Sequence, residues 1–161
     1  MLELLARLEE TSPSIWLRES GPAFFGSLIL HSLAMAIVVG INIALALRLI
    51  GFTATFPLDN FRAFFRLHWI GVCLIIASGF ALLLAYPAKA LSNPLFYGKL
   101  LALSLALALF ARVQRAVLGN GDYLFTSRAR GYLLLVLWLA VIFAGRFLAY
   151  TNSVLLASSF Y

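Results

Sequence analysis

The chain has 161 residues, of which 63% are hydrophobic and 11% are charged, and its mean hydropathy is +1.00. Soluble domains carry about 25% charged residues, so this composition excludes an ordinary water-facing surface and indicates one helical membrane domain. The single cysteine, Cys73, excludes an internal disulfide and a multi-cysteine metal or iron–sulfur site. The formal net charge of +6 comes from arginines beside apolar runs, which favours lipid headgroups over nucleic acid as the partner.

The first twenty residues form a segment of their own. Four leucines recur there at helical spacing, with charged residues elsewhere round the turn; they are Leu2, Leu4, Leu5 and Leu8. A polar stretch around Pro13 breaks this pattern. The segment lacks the basic start, apolar centre and small-residue cleavage site of a signal peptide. We therefore predict that residues 1–20 are an amphipathic segment whose helix lies in the outer membrane interface, with docking to a partner subunit as the alternative.

Four later segments are long and apolar enough to cross a bilayer, which takes about 20 residues. They span about 22–49, 61–86, 95–118 and 131–150, within a single bundle domain of residues 21–161. The links between them are short and contain turn-forming Gly, Pro, Asn and Asp, so successive helices are expected to run antiparallel. The predicted fold class is all-α: an integral membrane, antiparallel four-helix bundle with an N-terminal amphipathic interfacial helix.

Basic residues are unevenly distributed between the two ends of the predicted bundle. The ends that face the first and third links carry seven arginines: Arg48, Arg62, Arg66, Arg112, Arg115, Arg128 and Arg130. The opposite end has fewer basic residues, and the glutamates of the N-terminal segment outnumber its arginines. The positive-inside rule then places the first and third links in the cytoplasm and both termini on the periplasmic side of a bacterial inner membrane.

Four basic residues fall within the predicted helices, where ionisable groups are costly and point to function. His31 lies about 14 Å from the outer end of its helix, near the midplane. Lys99 and Arg146 each lie within about 8 Å of the outer ends of theirs, where they can snorkel to lipid phosphate or pair with a haem propionate or a partner's carboxylate. His68 is predicted at the cytoplasmic interface beside Trp69, as a member of an aromatic belt.

His31 shares a stripe of its helix with Ser27 and Asn42. Three interpretations stay open for this stripe: interhelical hydrogen bonding, a haem or metal ligand at His31, or a hydrogen bond to a quinone carbonyl. A haem shared with His68, the weaker candidate for an iron ligand, is disfavoured. His31 lies about 25 Å from the cytoplasmic end, whereas His68 lies about 3–9 Å from it. If haem b is bound, we predict His31 as its ligand, with Lys99 or Arg146 near a propionate.

Several short segments resemble an uncharacterised family of small four-helix bacterial membrane proteins. They are Glu19–Ser20, LILHSLAMAIVVG (28–40), LRLIG (47–51) and NPLFYGKL (93–100). The resemblance spans about Ser14 to Leu118, and the family's helix-one histidine and helix-three lysine fall at His31 and Lys99. More distantly, the chain is similar to b-type cytochrome and copper-resistance D-type membrane bundles. It departs from the cytochromes in having no histidine in its third and fourth helices, which leaves a two-haem scheme without ligands.

The sequence contains no Gly-rich phosphate loop, HExxH, GxSxG or paired carboxylates, so no catalytic activity of its own is predicted. We interpret the chain as a non-catalytic membrane subunit, associated with haem b or a quinone, that works beside lipids and other membrane protein subunits in an electron-transfer or other complex. One alternative is a purely structural accessory subunit. Another is a small transporter or metal-uptake component, which the lack of paired polar residues or broken helices at the midplane disfavours.

The predicted orientation can be tested with single cysteines introduced into a Cys73→Ser background. A cysteine in the link 119–130 is expected to be shielded from an impermeant thiol reagent in intact cells, because that link is predicted to be cytoplasmic. A cysteine at the N-terminus is expected to react. Labelling of the link, with none at the N-terminus, would contradict the arginine-based orientation.

Overall fold

Helices make up nearly all of the chain that the computed structural model describes, which comprises residues 7–52, 55–119 and 128–158. In chain order they are α1 (Ser12–Glu19), α2 (Gly21–Ile50), a 3-10 turn (Leu58–Phe61), α3 (Arg62–Ala85), α4 (Pro87–Leu91), α5 (Pro94–Leu118) and α6 (Arg128–Ser158). The predicted N-terminal leucines Leu2, Leu4 and Leu5 lie outside the described residues.

Four helices of the described chain are long and apolar enough to cross a membrane. They are Gly21–Ile50, Leu58–Ala85 (the 3-10 turn continued by α3), Pro94–Leu118 and Arg128–Leu148. The prediction of an all-helical chain with four helices long and apolar enough to span a membrane is confirmed. The last span ends at Leu148, near the predicted residue 150, while the helix that contains it, α6, continues to Ser158, because neither glycine nor proline follows Gly145 within it to stop the helix.

The helix boundaries follow from local capping chemistry. At the start of α2, the Ser20 hydroxyl accepts a hydrogen bond from the Ala23 N–H at 3.4 Å. The Asn93 side chain accepts one from the Leu95 N–H at 3.0 Å at the start of α5. These side chains satisfy N–H groups that have no partner within the helix. At the end of α2, Gly51 adopts a left-handed conformation with φ of 103°, which glycine tolerates without steric cost.

The N-terminal region packs back onto the membrane helices. The helical residues 7–9 are interrupted at Glu10 and Thr11, as predicted, and the polar stretch around Pro13 then begins α1, because proline fits the first turn of a helix. Helix α1 contacts both α2 and α3, and the Ser14 side chain is buried. Upstream of α1, the Glu9 carboxylate accepts a hydrogen bond from the Ala88 N–H at 3.1 Å, so this region is also tied to α4.

Close backbone approach holds the membrane helices together. Helix α2 packs against both α3 and α6, and α5 packs against α6. A Cβ atom on Gly71 of α3 would lie only 2.6 Å from Val38 Cγ2 of α2, and one on Gly131 of α6 would lie 2.8 Å from the Ala46 carbonyl oxygen. Small residues at such contacts provide the van der Waals packing that drives helix association in lipid.

The arginines at one end of the molecule bind backbone carbonyls or lie close to a neighbouring helix end. The Arg62 guanidinium donates to the Val117 carbonyl at the end of α5, at 2.8 Å, and Arg48 Nε donates to the Phe56 carbonyl. A Cβ atom on Gly51, just after α2, would lie 3.9 Å from the Arg128 side chain at the start of α6. Cationic side chains near helix C-termini also interact favourably with the helix dipole.

Gly131→Ala is expected to lower the free energy of unfolding by about 1–3 kcal/mol. The new methyl group would meet the Ala46 carbonyl, Ile50 Cγ1 and Leu49 Cβ within 3.0 Å, so the backbones of α2 and α6 would have to separate. Thermal unfolding of the detergent-purified protein would measure the change. The matched control is Gly98→Ala on α5, where a Cβ has no neighbour within 4 Å. Equal effects of the two substitutions would contradict the proposed close contact.

Candidate functional site

A hydrogen bond between two membrane helices fixes the position of the His31 ring. His31, half-buried on α2, has its Nδ1 atom 3.0 Å from the Ser78 hydroxyl on α3. The same hydroxyl lies 2.5 Å from the Leu74 carbonyl oxygen, and a carbonyl can only accept a hydrogen bond. The single hydroxyl proton of Ser78 therefore goes to Leu74, and the hydroxyl oxygen accepts from His31 Nδ1–H.

This arrangement favours the tautomer of the neutral ring that carries its proton on Nδ1. An imidazole that carries its proton on Nδ1 has a free lone pair on Nε2. Metal-binding histidines use this arrangement, because a hydrogen bond from one ring nitrogen orients the ring and increases the basicity of the other. His31 thus presents a preoriented nitrogen ligand, or an acceptor for a hydroxyl proton, at its Nε2 atom.

Two glycines and a lysine complete the surroundings of His31. A Cβ atom on Gly79 of α3 would lie 3.3 Å from His31 Cε1, and one on Gly145 of α6 would lie 3.6 Å from Lys99 Nζ. Lys99 belongs to α5 and lies within electrostatic range of the His31 ring. All four membrane helices therefore contribute to this group of His31, Ser78, Gly79, Lys99 and Gly145, which we call the His31 centre.

The His31 centre carries positive charge without a neutralising partner in the described chain. No Asp or Glu occurs in the sequences of α2, α3, α5 and α6. The salt bridge between Arg62 and Asp59 lies at the other end of α3. A charge in hydrocarbon is costly unless it is paired or reaches water or headgroups, so an anionic group beside Lys99 would be stabilised.

The other three residues predicted to join His31 are placed separately. Arg146 follows Gly145 in sequence and has an exposed side chain. Ser27 is half-buried and makes no side-chain hydrogen bond among the described residues. Asn42 is buried and donates from Nδ2 to the Val38 carbonyl of its own helix at 2.8 Å. Asn42 lies eleven residues from His31, or about 16 Å along the helix, so the predicted stripe is not one continuous site.

The prediction of His68 as an interfacial residue is wrong. His68 is 0% exposed and stacks on Phe110 of α5, with ring centroids 3.5 Å apart and an interplanar angle of 16°. Neither ring nitrogen has a hydrogen-bond partner within the described chain. The neighbouring Trp69, 37% exposed, has the interfacial character instead and donates to Gln114 at 2.8 Å. The helical turn directs position 68 inward and position 69 outward.

The two histidines lie at different levels of the molecule. Ser78, the partner of His31, follows His68 by ten residues on α3, which corresponds to about 15 Å along the helix axis. Two axial ligands of one iron cannot be that far apart. In the described residues, no group of three or more His, Cys, Asp or Glu side chains comes together to form a metal site. A metal or haem at the His31 centre would therefore have His31 as its one ligand from this part of the chain.

Sequence reasoning did not identify Ser78, Gly79 or Gly145 as neighbours of the candidate ligand. As small residues in an apolar helix, Ser78 and Gly79 by themselves predict only close packing. The available signal was their position on the second helix: pairing α2 with α3 in opposite directions brings the segment around Ser78 beside His31. The exact rotation of each helix, which decides which side chains meet, cannot be read from hydropathy.

The two histidines are expected to respond in opposite ways to substitution by phenylalanine. His68→Phe keeps a ring against Phe110 and removes two unsatisfied polar atoms, so the free energy of unfolding should rise by about 1 kcal/mol. His31→Phe removes an interhelical hydrogen bond and should lower it by about 0.6–2 kcal/mol. Thermal unfolding in detergent would measure both changes. If His68→Phe lowers the free energy of unfolding instead, the His68 ring nitrogens have hydrogen-bond partners in the folded protein, and the stacked arrangement is incomplete.

The His31 centre is where the four membrane helices bring a histidine, a lysine, a hydroxyl group and two glycines together. The functional argument depends on this geometry rather than on likeness to a relative. The chain matches no known family model, no curated protein and no solved structure.

Proposed function

We propose that the four membrane helices form an antiparallel bundle. The contacts between α2 and α3 support this arrangement, because residue numbers fall on one helix as they rise on the other: His31 pairs with Ser78, and Val38 with Gly71. Contacts between α3 and α5 follow the same rule. They join Arg62 to Val117 and His68 to Phe110.

The same proposal orients the bundle in a bacterial inner membrane. The ends of α2 and α5 and the starts of α3 and α6 lie together at the arginine-rich end, which we assign to the cytoplasm by the positive-inside rule. The N-terminal region then lies in the periplasmic interface. Its Trp16 is 63% exposed, which suits the headgroup region, while Ser14 of the same helix faces inward.

We further propose that the chain is a non-catalytic membrane subunit of an electron-transfer complex and that its His31 centre binds haem b. The observation that carries this proposal is the hydrogen bond from His31 Nδ1–H to Ser78, which leaves the Nε2 lone pair free to bind iron. When bound, haem would supply one-electron transfer. The chain's own residues orient the ligand and hold the cofactor.

The other residues of the centre fit the same cofactor. Lys99 provides a cation for a haem propionate, and no intramembrane carboxylate competes for it. Gly79 and Gly145 let the His31 ring and the Lys99 ammonium lie close to the backbones of α3 and α6. Because His31 is only half-buried and His68 is remote, any further iron ligand would come from a partner subunit. This is consistent with a role beside other membrane proteins rather than alone.

Two other functions are each supported by a specific observation. The His31–Ser78 hydrogen bond by itself joins α2 to α3, as it would in a purely structural accessory subunit. The free Nε2 lone pair could also accept the hydroxyl proton of a quinol, with Lys99 beside the oxygen as it becomes negative. Both functions keep the same orientation of His31 and differ in what occupies Nε2.

Absorbance spectroscopy of the protein, purified with its partners from its native membrane, would test haem binding. A Soret band with reducible b-type signals is expected, because His31 is preoriented for iron. His31→Ala should abolish these signals. The matched control, His68→Phe, should leave them unchanged, because that ring lies about 15 Å away along α3.

Each remaining outcome contradicts haem binding at the His31 centre. Loss of haem in both variants would restore a shared-ligand scheme. A featureless spectrum with co-purified quinone that is lost in His31→Ala would favour the quinol site. A featureless spectrum without quinone, and lower stability of His31→Ala, would favour the structural role.

A further inference from the structure

An open apolar groove lies at the arginine-rich end, away from the His31 centre. It has a volume of about 520 Å³ and is lined by Gly40, Ile41, Ala44, Leu47, Phe56, Phe61 and Phe64. These residues come from α2, the first link, the 3-10 turn and the start of α3. The volume is within the range of small-molecule sites, about 300–1,000 Å³, and the lining is almost entirely hydrocarbon.

The shape of the groove follows from small residues on one side and aromatic rings on the other. A Cβ atom on Gly40 would have no neighbour within 4 Å, so α2 leaves open space there. On the other side, Phe56 and Phe61 pack edge to face with centroids 5.6 Å apart, and the Phe64 side chain is exposed. Water in so apolar a groove would find few hydrogen-bond partners, so a hydrocarbon occupant is favoured.

A fixed positive charge lies close to this groove. Gly40, Ala44 and Arg48 are four residues apart and therefore share one face of α2. Arg48 Nε donates to the carbonyl of Phe56, a groove-lining residue, which holds the guanidinium beside the groove. The terminal nitrogens of Arg48 have no other partner among the described residues. A guanidinium with free N–H donors matches the geometry of a phosphate group.

The surrounding charges add to this preference for an anion. The single described carboxylate at this end, Asp59, is paired with Arg62 at 3.3 Å, and the positively charged Arg128 side chain lies beside Gly51 at the end of α2. An amphiphile with one apolar chain and an anionic head therefore complements the groove and its mouth. A zwitterionic head would match the groove but not the charge.

We propose that this groove is a binding site for an anionic glycerophospholipid, with one acyl chain along Gly40 and Ala44 and the phosphate at Arg48. Such a lipid would come from the leaflet at the arginine-rich end of the bundle. The site is independent of the His31 centre and of any cofactor bound there. It would allow the composition of the membrane to stabilise the contact between α2, the first link and α3.

Native mass spectrometry of the detergent-purified protein, titrated with phosphatidylglycerol and with phosphatidylcholine, would test the site. Phosphatidylglycerol is expected to bind about tenfold more tightly. Gly40→Leu, whose Cβ would have no neighbour within 4 Å and whose side chain would occupy part of the groove, should weaken phosphatidylglycerol binding about five- to tenfold. Arg48→Gln should do the same, because one arginine near anionic lipid contributes roughly a fivefold factor in affinity, and Arg48→Lys should retain most of the binding.

Matched controls separate this site from general lipid contact. Gly26→Leu adds the same side chain to another open position of α2, and Arg66→Gln removes the same charge from the same end. Both should change the affinity less than twofold. The proposal would be overturned if the two lipids bound equally well, or if the control variants lost as much affinity as Gly40→Leu and Arg48→Gln. It would also be overturned if glycerol phosphate, which has no acyl chains, bound as tightly as phosphatidylglycerol. Displacement by lipid of a second copy of the chain from this face would overturn it as well.

Discussion

Hydrocarbon offers no hydrogen-bond partners, and this constraint determines where each polar group of the protein lies. Backbone groups within the spans are satisfied by continuous helices. Side-chain polar groups must find hydrogen-bond partners within the protein or reach the ends of the helices. Ser78 meets the constraint by donating to its own helix and accepting from His31. Arg48 and Arg62 meet it at the helix ends by donating to backbone carbonyls.

The same constraint makes the two histidines different in character. His31 has one nitrogen engaged with Ser78 and the other free, in a half-buried position shared by all four membrane helices. His68 is enclosed against Phe110 with both nitrogens unsatisfied, which a packed core tolerates only at a free-energy cost. Stacking on Phe110 explains why His68 is buried. The His31 centre, in contrast, contains more polar groups than are needed to join two helices.

Glycines are what bring the polar groups of the His31 centre within reach of one another. Gly71 lets α3 approach Val38 of α2, and further along the same contact Gly79 lies against the His31 ring. On the other side, Gly145 of α6 leaves room for the Lys99 ammonium of α5. Close packing by small residues and the placement of a potential ligand site are therefore consequences of the same helix contacts. Where a small residue faces outward instead, as at Gly40, it leaves a groove.

The sequence by itself determined the number of membrane helices and most of their ends, because hydropathy over about 20 residues and the capping residues Ser20, Gly51 and Asn93 are local signals. It also singled out His31 and Lys99, since ionisable groups are rare in such segments. Only the tertiary structure decided that Ser78 binds His31, that Lys99 lies by Gly145, and that His68 is buried. Those outcomes depend on how each helix is rotated about its axis. Nearly every face of these helices is apolar, so the sequence pattern carries little information about rotation, and side-chain packing between helices has to set it.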